Sequence, residues 1–298
     1  MTGVTSSASA PQIFDRTQLR HRQQRALRSA SDHFLLARAA EDLIDRLSPV
    51  RREFSSVLDL GTPLPDAATK LRQALPAATL LRAASFEAAV GHGDWLGIVA
   101  DEEALPVRPE QFDLAVSLLA LHAVNDLPGA MVQIRRALKP DGLFLACLLG
   151  GQTLVELREC LVMAEAELKG GASPRVAPFS DLRDLGGLLQ RAGFALPVTD
   201  VEPLVVRYDS PFGLFADLRA MGSTNVLVGR QRAPTARSLF MRAAALYAER
   251  FADPDGRIRA TFELVWLSGW APHESQQKPL RPGSARMSLA DALNRPPG

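Results

Sequence analysis

Polar side chains follow several apolar segments of this sequence, where a sheet could present them to a ligand. Asp59 and Gly61 end the first segment, Asp101 and Glu102 follow a later one, and His122 follows the next. In a doubly wound sheet, ligands bind beyond the carboxyl ends of the strands. Carboxylates there can accept hydrogen bonds from hydroxyl or amino groups, and a histidine can bind polar groups or transfer protons. We therefore predict a cofactor site that contains Asp59, Gly61, Asp101, Glu102 and His122.

Three residues are candidates for catalysis: His122, Asn125 and His273. The first two lie at the predicted cleft edge, and His273 lies in a stretch rich in Trp, His, Ser and Gln at residues 269–276. Structural alternatives are a packing role for His122 and a loop that Trp270 folds back onto the sheet. No aspartate has the spacing of a nucleophilic triad, and no His/carboxylate set has the spacing of a metal site, so we predict no metal.

The turn after the first predicted strand lacks the glycines that a nucleotide-binding turn uses. Gly61 is followed by Thr62-Pro63-Leu64-Pro65, and two prolines fix φ and remove two amide donors. Ala84 stands where an acidic residue would accept hydrogen bonds from a ribose, the nearest charge is Arg82, and Glu87 is an alternative acceptor. Losing that acceptor costs about 1.5–3 kcal/mol, roughly ten- to a hundredfold in affinity. The sequence therefore predicts weak or absent cofactor binding.

Apolar segments that alternate with helical patterns predict a mostly parallel, seven-stranded sheet with helices on both faces. The first five strands are predicted at residues 56–60, 79–81, 97–100, 112–119 and 142–149. An antiparallel pair at the sheet edge is predicted at 197–208 and 261–267. Helices are predicted at 13–28, 34–47, 67–75, 128–138, 152–169 and 180–192, the last with Ser180 as its N-cap.

The same patterns divide the chain into five parts. They are a disordered tail (1–12), an N-terminal helical segment (13–50), a Rossmann-like domain (51–210), a helical insertion (211–260), and a final strand with an extended tail (261–298). Five arginines in residues 13–28 indicate either a solvated basic helix or a helix that serves as a lid or docks an acidic partner.

The charge balance gives no reason to expect nucleic acid as a partner. The 298 residues contain 34 Lys and Arg against 33 Asp and Glu. No apolar run approaches the ~20 residues that span a bilayer, so we predict no transmembrane segment. The first twelve residues have neither the apolar stretch of a signal peptide nor the arginines of a transit peptide, which predicts a cytoplasmic protein.

Three segments resemble the later motifs of class I S-adenosylmethionine methyltransferases, of the biotin-synthesis and ubiquinone-synthesis type. They are residues 99–106, 112–117 and 138–142. A closer resemblance covers almost the whole chain and is to the family of respiratory complex I assembly factor 5. It is carried by residues 13–16, 121–128 and 150–158, by Gly269-Trp270 with His273, Ser275 and Gln276, and by residues 282–285. A member without a transit peptide would be of the alphaproteobacterial type.

The resemblance implies a methyltransferase fold, S-adenosylmethionine as the cofactor, and a respiratory complex I subunit or assembly intermediate as the partner. The reaction described for the family is hydroxylation of an arginine. The chain departs from the family at Thr62-Pro63-Leu64-Pro65 and at Ala84. We therefore favour a non-catalytic relative that binds a partner. The alternatives are an active methyltransferase or protein-arginine hydroxylase and, below these, a small-molecule methyltransferase of the biotin-synthesis type.

Overall fold

A seven-stranded sheet organises the protein, in a computed structural model that describes residues 12–28 and 33–277. The strands lie in the order β3-β2-β1-β4-β5-β7-β6. The first five pair in parallel, while β7 is antiparallel to both β5 and β6. The predicted mostly parallel sheet with an antiparallel edge pair is confirmed. The strands are β1 Ser56–Leu60, β2 Thr79–Ala84, β3 Leu96–Val99, β4 Phe112–Leu118, β5 Leu138–Leu149, β6 Ala195–Tyr208 and β7 Ile258–Trp270.

Helices cover both faces of this sheet, as predicted. They are α1 Arg16–Ala26, α2 Phe34–Leu47, α3 Asp66–Ala74, α4 Glu87–Val90, α5 Leu127–Ala137, α6 Val155–Lys169, α7 Leu182–Arg191, α8 Pro211–Ala220 and α9 Arg237–Phe251. One face packs against α5 and α7, the other against α2 and α3. A third apolar cluster joins α6, α8 and α9 to the start of β7. None of the helices in the described part of the chain is long and apolar enough to span a bilayer.

Several element boundaries differ from the prediction because backbone conformation, side-chain capping and strand pairing set them, and not the apolar pattern alone. Helix α6 begins at Val155 because Leu154 has a φ of 55°, outside the right-handed helical region. The side chain of Asp181, not Ser180, accepts the capping hydrogen bond of α7, from the backbone of Arg183. Strand β7 begins at Ile258, where it pairs with Tyr208, so the predicted boundary at 260/261 falls inside a strand.

The N-terminal segment is tied to the rest of the fold before its helix begins. Phe14 forms an antiparallel bridge with Leu227, so α1 starts at Arg16 and not at residue 13. Asp15 caps the helix by accepting a hydrogen bond from the backbone of Gln18. The predicted helical insertion contains α8 and α9. The predicted tails lie outside the described residues, apart from residue 12 at one end and residues up to 277 at the other.

Candidate functional site

The carboxylate at the end of β1 is engaged inside the protein. Asp59 and Arg82 are register partners on adjacent parallel strands, and both side chains are completely buried. Oδ2 of Asp59 accepts a hydrogen bond from Nη1 of Arg82, and Oδ1 accepts one from Oγ1 of Thr62 at 2.5 Å. The structure therefore places Asp59 under the cavity floor, with both oxygens paired.

Arg82 has a structural role that its sequence position did not reveal. Besides Asp59, its guanidinium donates to the backbone carbonyls of Thr62 at 2.7 Å and of Ala89 at 2.8 Å. These bonds tie β2 to the turn after β1 and to α4. Buried charges are tolerated when they are paired and fully hydrogen-bonded, as here. The signal that could have revealed this contact is the parallel register, which places residues 59 and 82 side by side.

The turn after β1 is filled by a side chain of the protein itself. Gly61 has a φ of 73°, and a Cβ added there would lie 2.5 Å from Oε1 of Glu102. The close approach that this glycine allows is therefore used by Glu102. Ala84 is buried at the end of β2, and Ser85 beside it lines the cavity. Glu87 is exposed at the start of α4.

Arg16 of α1 closes the acidic side of the site. It donates to Glu102, to Asp101 at 3.1 Å, and to the carbonyl of Ala123 at 3.1 Å. Burial opposes its charge, yet the carboxylates of Glu102 and Asp101 raise the pKa of Arg16 above its ordinary value. The structure thus brings Asp101 and Glu102 together and pairs them with an arginine that the sequence indicated only as part of a basic helix.

Asn125 is fully occupied in holding the N-terminal segment. Its Oδ1 accepts hydrogen bonds from the backbone N–H groups of Ile13 and Phe14, both at 2.8 Å. Its Nδ2 donates to the carbonyl of Phe14 at 3.1 Å. The structure therefore places this catalytic candidate as the anchor of the chain that leads into α1.

His122 faces the cavity with an unused nitrogen. Its ring packs edge-on against Phe179, with ring centroids 5.7 Å apart. Among the described residues, its buried Nδ1 has no hydrogen-bond partner. Burial and the nearby charge of Arg16 lower the pKa of His122 to about 4, so the ring is neutral at pH 7. A neutral imidazole with a free nitrogen can bind a polar group of a ligand.

His273 lies at the other end of the sheet. It follows Trp270, the last residue of β7, which pairs with Leu143 in the first half of β5. The cavity, in contrast, lies at the carboxyl ends of the parallel strands. Its Nδ1 lies 2.7 Å from Oγ of Ser275 on the exposed surface. The structure therefore separates His273 from His122 and from the predicted cofactor residues. Within the described residues, no group of three or more His, Cys, Asp or Glu side chains could hold a metal ion.

A cavity of about 1490 Å³ opens over the carboxyl ends of the strands. Gly61, Glu102 and His122 line its inner part, and α1, α6, α8 and α9 supply the outer walls. Small-molecule pockets usually measure about 300–1,000 Å³, so this cavity is larger than one small ligand needs. Such a space can hold an extended ligand that reaches from His122 to the helical insertion.

Comparison with known proteins agrees with this architecture. A family model described as a methyltransferase domain matches residues 27–197. The arginine-hydroxylase NDUFAF5 of Danio rerio, which is described as mitochondrial, is 36% identical over 293 residues, covering 96% of this chain and 91% of that protein. The chain belongs to the NDUFAF5 arginine-hydroxylase family.

The chain is also similar to proteins with other named activities. The malonyl-[acyl-carrier protein] O-methyltransferase of Halorhodospira halophila is 34% identical over 258 residues, covering 84% of this chain and 85% of that protein. A putative methyltransferase structure from Bacillus halodurans C-125 superposes with a TM-score of 0.54 at 15% identity, over 78% of this chain and 99% of that one. That structure supports the fold alone, and the predicted methyltransferase fold is confirmed.

Proposed function

We propose that this chain is an assembly factor that binds a subunit or assembly intermediate of respiratory complex I in its cavity, without holding S-adenosylmethionine as other methyltransferases do. Membership of the NDUFAF5 family supports the link to complex I. The ion pair between Asp59 of β1 and Arg82 of β2 supports the inference that S-adenosylmethionine is not held there. The observation that carries this proposal is the buried Asp59–Arg82 pair.

The residues at the expected cofactor positions do not fit S-adenosylmethionine. A ribose needs an acceptor at the end of β2, where Ala84 has none. Asp59 cannot substitute, because Arg82 and Thr62 use both of its oxygens. The methionine side of the ligand needs open space beside Gly61, and Glu102 lies there. We infer that any binding of this cofactor is weak.

Calorimetry with S-adenosylmethionine tests the cofactor part of the proposal. The O-methyltransferase of Halorhodospira halophila, titrated in the same buffer, is the positive control that shows that the S-adenosylmethionine preparation can bind. We expect a Kd for this chain weaker than about 10 μM, or about −7 kcal/mol. Binding at or tighter than that value would contradict the proposal and favour an active methyltransferase.

Co-purification tests the partner part of the proposal. The tagged chain, isolated from cells that contain complex I, should carry a complex I subunit that mass spectrometry identifies. A preparation that carries no such subunit, beside a functioning tag control, would overturn the assignment. Fractionation of the same cells would test the predicted cytoplasmic location, which stays a prediction.

Arginine hydroxylation is the second candidate function. Relatives are named for this activity, and Nδ1 of His122 in the cavity is free to bind a polar group of the segment that carries the arginine. Inserting one oxygen atom would also require dioxygen and two electrons from a donor outside this chain. Mass spectrometry of the co-purified subunit tests it through the gain of one oxygen atom on an arginine. That gain should disappear with H122A. An unmodified subunit, bound equally by both proteins, would leave the binding function alone in place.

A further inference from the structure

The outer part of the cavity carries an excess of positive charge. Four of its arginines have carboxylate partners: Arg16 with Glu102, Arg20 with Asp101, Arg175 with Glu165 and Arg230 with Asp15. Four more line the same cavity, namely Arg22, Arg219, Arg232 and Arg237. In the part of the chain that the structure describes, these four form no ion pair with a carboxylate, although Arg22 donates one hydrogen bond to the backbone carbonyl of Asn225.

Three of these arginines lie around one aspartate, Asp15. Asp15 accepts a hydrogen bond from Arg230 at 2.9 Å, and the charge of Arg232 also acts on it. Burial lowers the pKa of Arg22, and the nearby positive charges of Arg230 and Arg25 lower it further. The single negative charge of Asp15 is therefore shared among several guanidinium groups and does not neutralise all of them. A negatively charged ligand would relieve their repulsion.

Arg237 stands where its own helix disfavours it. It is the first residue of α9, and the dipole at a helix N-terminus repels a positive charge. An arginine there costs the helix stability unless an anion approaches from outside. Its exposed side chain and its place in the cavity wall make such an approach possible.

An aromatic wall lies in the same part of the cavity. The rings of Phe212, Phe215 and Phe240 form a chain, with successive centroids 5.8 Å apart. Phe212 is 48% exposed and Met241 is also 48% exposed, although both line the cavity. Exposed apolar groups beside unpaired charges are typical of a surface that a partner covers.

We propose that the outer cavity binds an acidic polypeptide segment, whose carboxylates contact Arg22, Arg219, Arg232 and Arg237 and whose apolar side chains pack on the aromatic wall. The arginines lie on α1, α8, the α8–α9 connection and α9, so they fit an extended ligand better than a compact ion. The large cavity volume agrees with this. This inference rests on the proposed function and names the chemistry of the segment that the partner presents.

Fluorescence anisotropy tests the proposal with a short labelled peptide that alternates Glu and Leu. We expect the full chain to bind it, to bind a Lys/Leu peptide much more weakly, and to lose affinity as salt increases. The double variant R232E/R237E should weaken binding by about tenfold or more. The matched control R136E/R183E reverses two exposed arginines on α5 and α7 outside the cavity, and should stay within about twofold.

Several results would overturn the proposal. The first is equal affinity for the Glu/Leu and Lys/Leu peptides, and the second is an equal loss of affinity in R232E/R237E and R136E/R183E. The third is inhibition of peptide binding by inorganic pyrophosphate that equals inhibition by unlabelled Glu/Leu peptide at the same concentration of negative charge. The fourth is tighter binding of a single-stranded oligouridylate than of the Glu/Leu peptide. Co-purification separates this failure from that of the proposed function. If R232E/R237E still captures a complex I subunit as well as the wild type does, the acidic-segment site is wrong while the assembly function stands. If the acidic peptide binds as expected but no complex I subunit is captured, the assembly function is wrong while the site stands.

Discussion

The Asp59–Arg82 pair is a contact whose two charges depend on each other. Both side chains are removed from water, which costs several kcal/mol per ion, and their attraction together with charge-assisted hydrogen bonds to Thr62 and Ala89 offsets that cost. Removal of one partner leaves the other charge buried without compensation. The pair therefore matters more for stability than any of the exposed ion pairs on the surface.

Replacement of Arg82 by methionine should destabilise the protein by about 3–5 kcal/mol, because Asp59 is left unpaired. Adding D59N to that variant should recover part of the loss, since the buried charge is then gone. Urea unfolding of the two single variants and the double variant measures the coupling. The control is R242M, which breaks the half-exposed pair with Glu167 and should cost less than about 1 kcal/mol. Additive effects of R82M and D59N would contradict this account.

His122 should make the folded state sensitive to moderate acid. Its pKa is about 4 in the folded protein and about 6.5 when unfolded, so between these values the unfolded chain binds more protons. Stability from this group is present above pH 6.5 and is lost as the pH falls toward 4, by up to about 3 kcal/mol. Urea unfolding at several pH values should show a smaller loss in H122Q. An identical pH dependence of the two proteins would show that burial does not lower the pKa of this histidine.

At the scale of elements, the chain that enters α1 is held by Asn125 of the loop after β4 as well as by the bridge of Phe14 with Leu227. Asn125 accepts from two backbone N–H groups and donates to a carbonyl of the same segment. N125A should therefore weaken the attachment of residues 13 and 14, which keep their bridge to Leu227, and raise hydrogen exchange across α1 by about tenfold, the equivalent of one to two hydrogen bonds. Peptides from β4 and β5 are the internal control, because their bonds do not involve this residue. Unchanged exchange in residues 12–28 would show that other contacts suffice.

The strands could be predicted because their signal is local. Buried parallel strands are apolar along their whole length, and β1 runs from Ser56 to Leu60 as the pattern indicates. Strand β7 was predicted too short, because its ends are fixed by pairing with β6, which no local pattern reports. The start of α6 depends on the positive φ of Leu154, a conformation that the side chain itself does not favour.

The site could be predicted only in part, for a similar reason. The sequence placed Asp101, Glu102 and His122 at one edge of the sheet, because the carboxyl ends of parallel strands meet there. It could not reveal that Arg16, more than eighty residues away, pairs with two of them. It also grouped His273 with the candidates, since the distance of that loop from the cavity depends on the antiparallel direction of β7.

At the scale of the whole molecule, β7 connects all three apolar clusters. Phe262 packs with α6 and α9, Val265 with the α5 and α7 face, and Trp266 with the α2 and α3 face. The helical insertion therefore shares a strand with both faces of the sheet. Because one strand contacts all three clusters, the helices on both faces and the insertion should unfold together with the sheet.

We expect one cooperative unfolding transition for the entire fold. All three tryptophans, Trp95, Trp266 and Trp270, belong to the α2 and α3 face, so their fluorescence reports that face alone. Far-ultraviolet circular dichroism reports helices on every face, including α6 and α9. The two signals should give the same urea midpoint. A circular dichroism transition that precedes the fluorescence change would show that the insertion unfolds as a separate unit.

The contact between β1 and β2 also restricts which mutations the gene can accumulate. A mutational path that removes this pair must replace both Arg82 and Asp59, and whichever residue changes first leaves the charge of the other stranded in the interior. That step costs about 3–5 kcal/mol, against a total stability of about 5–15 kcal/mol for a typical protein. A single substitution at either position therefore removes a large share of the stability of the fold, and only a change of both residues avoids the stranded charge. The pair thus makes two positions on adjacent strands depend on each other in any variant of this protein.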